Sequence, residues 1–209
     1  MRKIKVLNLY AGIGGNRKYW SNVEVTSVEI NKEIAFVYKK FFPEDTVVVA
    51  DAHRFLEENY MRYDFIWSSP PCPSHSQYRY NVGVKAKGFN PVFPDMRLYE
   101  EIIFLKYYFS GMWVVENTVS YYKPLIQPQK ISRHFFWANF FIRPVKIEAS
   151  KIRSKNKICE LEDFLKIDLS RFKLKNKRQI LRNCVNPVLG KHVLDCAFPD
   201  KNAKGRKDE

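Results

Sequence analysis

The feature that most constrains this chain is an alternation of short apolar runs with segments of helical period, which extends to about residue 141. Three segments carry apolar residues at i, i+3 and i+4 spacing, and six runs have the length of buried strands. The helical segments span 32–41, 52–60 and 95–109, and the strand candidates span 4–9, 23–29, 46–50, 63–67, 112–115 and 135–141. This alternation predicts an α/β fold with a doubly wound, mostly parallel sheet.

The composition is that of one main domain with a strong positive charge. At 209 residues and 45% hydrophobic, the chain can bury one good core. Lys and Arg number 36 against 22 Asp and Glu, a net charge of +14 that attracts polyanions. Residues 143–182 alone hold thirteen basic and five acidic residues. This segment predicts a face that follows phosphates; a solvated surface excursion is the alternative.

The cysteines and the longest apolar stretches exclude several classes of protein. The four cysteines, at 72, 159, 184 and 196, show no C-x-x-C spacing and do not cluster with histidines. We therefore expect reduced thiols, and neither a metal site nor a disulfide framework. The apolar part of the N-terminus is too short for a signal peptide, and residues 102–115 are too short for a membrane span. These observations predict a cytoplasmic protein that does not bind membranes.

Three strand ends predict a ligand site, since ligands of such sheets bind at the carboxyl ends of the strands. The first strand leads into Tyr10-Ala-Gly-Ile-Gly-Gly15, where glycine lets a ligand approach the backbone. Glu29 follows the second strand, where an acid can accept from ribose hydroxyls, and Asp51 follows the third, where it can accept from an adenine amino group. Both acids are alternatively helix caps.

The next two strand ends predict a nucleophile and an acid. The fourth strand ends in Ser68-Ser-Pro-Pro-Cys72, where two prolines stiffen the turn that presents the thiol. A thiol must become a thiolate to attack. The fifth strand leads into Glu116, whose carboxyl, if desolvated, can stay protonated and donate to a ring nitrogen. A buried cysteine and a helix-capping glutamate are the structural alternatives.

The order and spacing of four segments resemble the motifs of DNA cytosine-5 methyltransferases. The segments are Leu9-Tyr-Ala-Gly-Ile-Gly-Gly15, Pro70-Pro-Cys72, Glu116-Asn117 and Arg133-His-Phe-Phe-Trp-Ala-Asn139. Residues 95–100 and Arg182-Asn-Cys-Val-Asn-Pro187 are similar to two further family motifs. The resemblance covers residues 4–198 and implies a methyltransferase sheet of Rossmann-like type with a small basic appendage.

The resemblance also implies roles for individual residues. The methyl donor would be S-adenosyl-L-methionine, leaving S-adenosyl-L-homocysteine, and its expected contacts are Tyr10, Gly12, Gly14, Glu29, Asp51 and Asn183. The reaction centre would comprise Cys72, Glu116 and Arg133. The nucleic acid is expected at Ser76, Lys151, Arg153, Lys155, Lys173 and Lys175. The implied division is a catalytic domain at 1–142, a recognition segment at 143–178, a C-terminal helical motif at 179–198 and a polar tail at 199–209.

Three departures from the family pattern affect what is expected. Pro73 and His75 stand where the family has Gln and an aromatic residue, and His75 is either a proton shuttle or a solvent-facing loop residue. Arg133 and His134 compete for the second basic place of the arginine motif. The recognition region is reduced to about forty residues, so we expect short or relaxed sequence specificity, or help from a protein partner or a second copy.

Other functions remain open at this point. Cytosine-C5 methylation of RNA is the main alternative to DNA, although the Cys-Phe-Thr signature of the tRNA branch is absent. Exocyclic-amine methylation would require an aromatic residue where Cys72 stands. A catalytically inert DNA-binding relic is the non-enzymatic alternative. Restriction-linked modification, phage self-protection and regulation are all compatible biological roles.

Overall fold

The computed structural model describes residues 2–146 and 157–199. Its seven strands are β1 Ile4–Leu9, β2 Val23–Val28, β3 Thr46–Val48, β4 Phe65–Ser68, β5 Met112–Thr118, β6 Gln129–Ile131 and β7 His134–Ala138. Its helices are α1 Lys32–Phe41, α2 Ala52–Asn59, α3 Arg97–Tyr108, α4 Ile158–Leu165, α5 Lys177–Asn183 and α6 Pro187–Ala197. A 3₁₀ turn at Tyr60–Arg62 and a π-type turn at Arg79–Lys85 complete the elements.

All seven strands form one mixed sheet in the order β3-β2-β1-β4-β5-β7-β6. The first five strands in this order are parallel to one another, while β7 runs antiparallel to β5 and to β6. Only two residues separate β6 from β7, and a connection that short requires an antiparallel pairing. The predicted doubly wound, mostly parallel α/β sheet is confirmed. The short strand β6 was not predicted, because three residues carry too little pattern.

The strand order places a crevice at the carboxyl ends of β1 and β4. From β1 the chain builds outward to β2 on one side, and it later returns to place β4 on the other side. Ligands bind at such a switch point because the connections leave the sheet in opposite directions there. The glycine turn after β1 and the Pro-Pro-Cys turn after β4 therefore flank one crevice.

Both faces of the sheet are covered, so successive strand residues are all buried. Val6 and Phe65 pack in one cluster with Leu189 of α6. Their neighbours along the strands belong to a second cluster on the opposite face, with α2 and α3. Continuous rather than alternating burial is the pattern expected of a central parallel sheet.

The described part of the basic C-terminal segment has a core of its own. Leu161 and Leu165 of α4 and Leu181 of α5 are buried together with Ile13 and Val37. Ile13 belongs to the glycine turn and Val37 to α1, so this segment is packed onto the elements that border the crevice. Apolar residues of the segment thus face inward while most of its lysines remain exposed.

Candidate active site

The glycine turn after β1 presents an open backbone beside a carboxylate. Gly12 has φ +55°, a left-handed conformation, and a side chain there would meet no atom within 4 Å. Glu29, at the end of β2, accepts a hydrogen bond from the backbone N–H of Gly12 at 3.0 Å and from that of Asn31 at 2.9 Å. The predicted carboxylate therefore lies at the rim of the turn, while the cap of α1 is Asn31.

The other glycines of this turn are required by packing. A side chain on Gly14 would lie 2.3 Å from the ring of Phe42, and one on Gly15 would lie 2.7 Å from Cys184 Cβ. Only Gly12 borders open space among these three. The close approach of Gly15 and Cys184 also shows that the C-terminal motif packs against the glycine turn. Asn183 could contact a ligand at the turn only if the motif lies there. Asn183 itself is exposed and accepts a hydrogen bond from Gln179.

Asp51 has the structural role that the sequence left open as its alternative. It is the N-cap of α2 and accepts a hydrogen bond from the backbone N–H of Arg54 at 3.0 Å. Its second oxygen lies 3.7 Å from the guanidinium of Arg97. The side chain is exposed at the crevice end of β3, so capping leaves one oxygen accessible.

A buried carboxylate that the sequence reasoning missed connects both sides of the crevice. Glu101 of α3 is fully buried and accepts hydrogen bonds from the hydroxyls of Tyr10 and Ser68. His53 Nδ1 lies 3.0 Å from the same carboxylate. Burial, followed by the charge of Glu101, raises the pKa of Tyr10 far above its usual value. The signal was a glutamate on the buried face of α3, one residue before Ile102.

The turn that carries Cys72 is held in place by the strand beside it. Asn117, buried at the end of β5, donates from Nδ2 to the carbonyl of Pro70 at 2.9 Å. The carbonyl of Cys72 accepts from the backbone N–H groups of His75 and Ser76, both at 3.0 Å. The thiol is therefore presented by a closed turn rather than by a free loop.

The structure brings together Cys72, Glu116 and Arg133, the three predicted members of the reaction centre. Burial raises the pKa of the Cys72 thiol, the charge of Glu116 raises it further, and Arg133 opposes the rise. Burial lowers the pKa of Arg133, while Glu116 and Cys72 both favour its charged form. Glu116 is only 7% exposed. A thiol, an acid and a cation are thus close enough to influence one another's ionisation.

The contact between Glu116 and the arginine motif is made by a histidine. His134 Nδ1 lies 2.6 Å from Glu116 Oε1, and both side chains are nearly buried. Arg133 lies beside the pair and near Arg182. Of the two candidates for the second basic place of the arginine motif, His134 is therefore the one that contacts the acid. Arg133 is close enough to Cys72 for its charge to affect the thiol.

His75 is buried, which contradicts its interpretation as a solvent-facing loop residue. It is 1% exposed, and Nδ1 lies 2.6 Å from the hydroxyl of Tyr122. Burial lowers its pKa, so it is held neutral. The backbone N–H of Tyr121 donates to the carbonyl of His75, which ties the loop to the segment after β5.

The residues predicted to contact nucleic acid are distributed over several places. Ser76 lies in the loop after Cys72, where its hydroxyl accepts from the backbone N–H of Arg79. Lys173 and Lys175 are exposed between α4 and α5. Lys151, Arg153 and Lys155 lie outside the described residues.

Residues 4–98 match the family model of the C-5 cytosine-specific DNA methylases, a range that includes the glycine turn, Glu29, Asp51 and Cys72. Over this part, which is fewer than half of the 209 residues, the chain is similar to that family. The match supports methyl transfer, with S-adenosylmethionine as the methyl donor. The seven strands of the described residues form a mixed α/β sheet, as the resemblance implied. None of the curated protein sequences matches the chain.

Several solved structures are similar to part of this chain. A triple mutant of DNMT2 from Spodoptera frugiperda is 25% identical over 56% of this chain and 36% of its own, with a TM-score of 0.38. A putative DNA modification methyltransferase encoded within an Escherichia coli prophage is 20% identical over 58% and 34%, with a TM-score of 0.36. The putative methyltransferase yhhF of Escherichia coli is 15% identical over 65% and 74%, with a TM-score of 0.42.

Within residues 2–146 and 157–199, no group of three or more His, Cys, Asp and Glu side chains is arranged to hold a metal ion. No helix in these ranges is long and apolar enough to cross a membrane.

Proposed function

We propose that this protein transfers a methyl group to C5 of cytosine in DNA, through a covalent bond between Cys72 and C6 of the base. The observation that carries the proposal is the meeting of Cys72, Glu116 and Arg133 at the carboxyl edge of β4 and β5, where the charges act on the thiol. Nucleophile, acid and cation are the groups that addition to an electron-poor ring requires.

The residues around the glycine turn fit the methyl donor. The open space in front of Gly12 allows a ligand to approach the backbone, and Glu29 is already aimed at that turn. Glu29 would accept from ribose hydroxyls and Asp51 from the adenine amino group. When bound, S-adenosylmethionine supplies an electrophilic methyl group on a positively charged sulfur.

The side chains of the reaction centre then account for activation of the base. Cys72 thiolate adds to C6 while Glu116 gives its proton to N3, so the ring becomes an enamine that can accept a methyl group at C5. A base removes the C5 proton, N3 gives its proton back, and the bond to Cys72 breaks. A protonated Glu116 has two effects. It donates the proton to N3, and it lacks the negative charge that disfavours the Cys72 thiolate.

A basic groove beside the site supports a nucleic-acid substrate. The groove, about 490 Å³, lies between α4 and α5 and includes Lys177, Arg178 and Arg182 in its lining. Arg182 lies over the ring of Tyr78, 5.6 Å from its centroid, and close enough to Arg133 to affect its pKa. Cations thus extend from the groove to the reaction centre, as a strand whose target base is flipped toward Cys72 would need.

Trapping of the intermediate tests the proposal. The wild type, incubated with the methyl donor and an oligonucleotide containing 5-fluorocytosine, should form a stable adduct, because fluorine at C5 cannot leave as a proton does. Mass spectrometry of peptides should place the adduct on Cys72, and Cys72→Ser should form none. DNA and RNA oligonucleotides of the same sequence are compared in parallel, so an adduct with RNA alone would assign the enzyme to RNA. Absence of any adduct from both would refute the covalent mechanism.

A further inference from the structure

The pairing of Glu116 with a histidine is the feature from which we infer more. Arginine keeps its charge at every ordinary pH, and its guanidinium would hold a carboxylate ionised. Imidazole can donate one N–H without carrying a charge. The identity of this partner therefore affects whether Glu116 can act as an acid.

The position of the His134 ring is determined by packing on β7. His134 and Phe136 lie on one face of that strand, with their ring centroids 6.0 Å apart. Phe136 is fully buried and makes an edge contact with Trp67 of β4. In the antiparallel pairing, Glu116 stands opposite Phe136, so the imidazole reaches the carboxyl diagonally. The ring is therefore fixed relative to the acid before any substrate arrives.

The hydrogen bond uses one oxygen of Glu116 and leaves the other available. Nδ1 of His134 contacts Oε1 at 2.6 Å. Among the described residues, no hydrogen bond to Oε2 is found. Arg133 and Cys72 are titratable groups of the described ranges whose charges interact with that of Glu116.

We propose that His134 is a positioning residue for the reaction: its Nδ1–H holds Oε1 of Glu116 so that Oε2 faces the base. The proton leaves Oε2 for N3 as the bond from Cys72 to C6 forms, and the Nδ1–H bond stabilises the carboxylate that remains. The proton returns to Oε2 when that bond breaks. This inference rests on the proposed cytosine chemistry.

Two substitutions separate hydrogen bonding from packing. In His134→Asn the side-chain N–H₂ is attached to Cγ, as Nδ1 is, so the donor is kept although most of the ring is lost. In His134→Leu the donor is lost but more apolar volume is kept. A positioning role predicts that Asn preserves the rate better than Leu, whereas a packing role predicts the opposite order.

The measurement is the single-turnover rate of methyl transfer, together with the dissociation constants for the methyl donor and the oligonucleotide. His134→Leu should slow transfer about 10- to 100-fold, the effect of one hydrogen bond to a charged group, with both dissociation constants nearly unchanged. His134→Asn should stay within a few-fold of the wild type. His192→Leu, which removes a histidine that contacts the carbonyl of Arg143, is the matched control and should not alter the rate. Equal rates for His134→Leu and the wild type, or a slower His134→Asn than His134→Leu, would overturn the inference.

NMR spectroscopy tests the hydrogen bond between His134 and Glu116 independently of enzymatic activity. In ¹⁵N-labelled protein, Nδ1 of His134 should carry a proton, and its resonance should move in Glu116→Gln. If the wild type transfers no methyl group but the His134 resonance moves in Glu116→Gln, the cytosine chemistry is refuted and the hydrogen bond between His134 and Glu116 is supported. If methyl transfer occurs and the resonance of His134 ignores Glu116→Gln, the proposed function survives and the positioning role does not.

Discussion

Cys72, the proposed nucleophile, lies in surroundings that oppose ionisation of its thiol in the free protein. Burial and the charge of Glu116 both raise the pKa of the thiol, whereas a backbone hydrogen bond within Cys72 and the charge of Arg133 lower it. In the proposed reaction Glu116 acts in its protonated form, which lacks the negative charge that disfavours the thiolate. Such coupling limits reaction of the thiol with other electrophiles before the substrate arrives.

The coupling at Cys72 predicts opposite shifts for two substitutions. Glu116→Gln removes a negative charge near the thiolate and should lower the pKa of Cys72. Arg133→Leu removes a positive charge and should raise that pKa. The pH dependence of iodoacetamide alkylation, mapped to Cys72 by mass spectrometry, measures both shifts.

Cys159 provides the internal control for this experiment, because it is exposed and lies on α4. Its alkylation rate should be the same in all three proteins. Shifts of one sign for both substitutions would show that the charges of Glu116 and Arg133 do not reach the thiol as described.

At the scale of elements, Glu101 links four parts of the chain that border the crevice. Its partners are Tyr10 in the glycine turn, Ser68 at the end of β4 and His53 on α2. Because α3 carries the carboxylate, movement of any one of these elements would break a buried hydrogen bond. The network therefore keeps the glycine turn after β1 and the end of β4 in a fixed relation.

Removing the buried carboxylate should destabilise the protein more than neutralising it. Glu101→Leu leaves the hydroxyls of Tyr10 and Ser68 without their partner and should lower the free energy of unfolding by about 3–5 kcal/mol. Glu101→Gln keeps one acceptor and should cost less. Urea denaturation followed by circular dichroism measures both variants, and equal losses would contradict a hydrogen-bonding role.

The same substitution predicts a change at His53. The hydrogen bond to Glu101 is the main cause that raises the pKa of His53. Glu101→Gln should therefore lower that pKa, as an NMR titration would record. In the wild type this pairing contributes stability that is full below the ordinary histidine pKa and is lost as the pH rises through the raised value. If Glu101→Gln leaves the pKa of His53 unchanged, the two side chains are not hydrogen-bonded in solution.

At the scale of the whole molecule, the basic segment has two faces. Its apolar residues join Ile13 and Val37 in a core beside the glycine turn, and its cations line the groove between α4 and α5. A segment of this size has little surface for reading a base sequence. Contacts with phosphates would instead hold the strand, which agrees with the expectation of short or relaxed specificity.

Phosphate contacts predict a steep dependence of affinity on salt. The slope of log affinity against log salt concentration should fall by about one for each contact that is removed. Lys173→Gln with Lys175→Gln tests the predicted lysines, and Arg178→Gln tests the groove. Fluorescence anisotropy with a labelled oligonucleotide at several salt concentrations measures the slopes.

Lys191→Gln is the matched control, because the amine of Lys191 is paired with Asp195 on α6. It should leave the slope unchanged. A slope near zero for the wild type, or equal slopes for all variants, would remove phosphate tracking from the proposed function.

The type of sheet, the order of the motifs along the chain and the residues at each strand end could be predicted from the sequence alone. Apolar runs and helical periods are local patterns, so β1 to β5 and α1 to α3 could be predicted close to their observed bounds. Family motifs likewise named Cys72 and Glu116. Elements with little local pattern were missed, among them β6 and the π-type turn at Arg79–Lys85.

Only the tertiary structure decided which side chains meet. Sequence spacing could not choose between Arg133 and His134, because both precede or begin the same strand and the choice depends on the register of β7 against β5. The burial of His75 and the partners of Glu101 likewise depend on residues distant along the chain. Local chemistry names the candidates for a site, whereas pairing of distant strands and packing of distant helices decide their contacts, because neither is encoded in any short stretch of sequence.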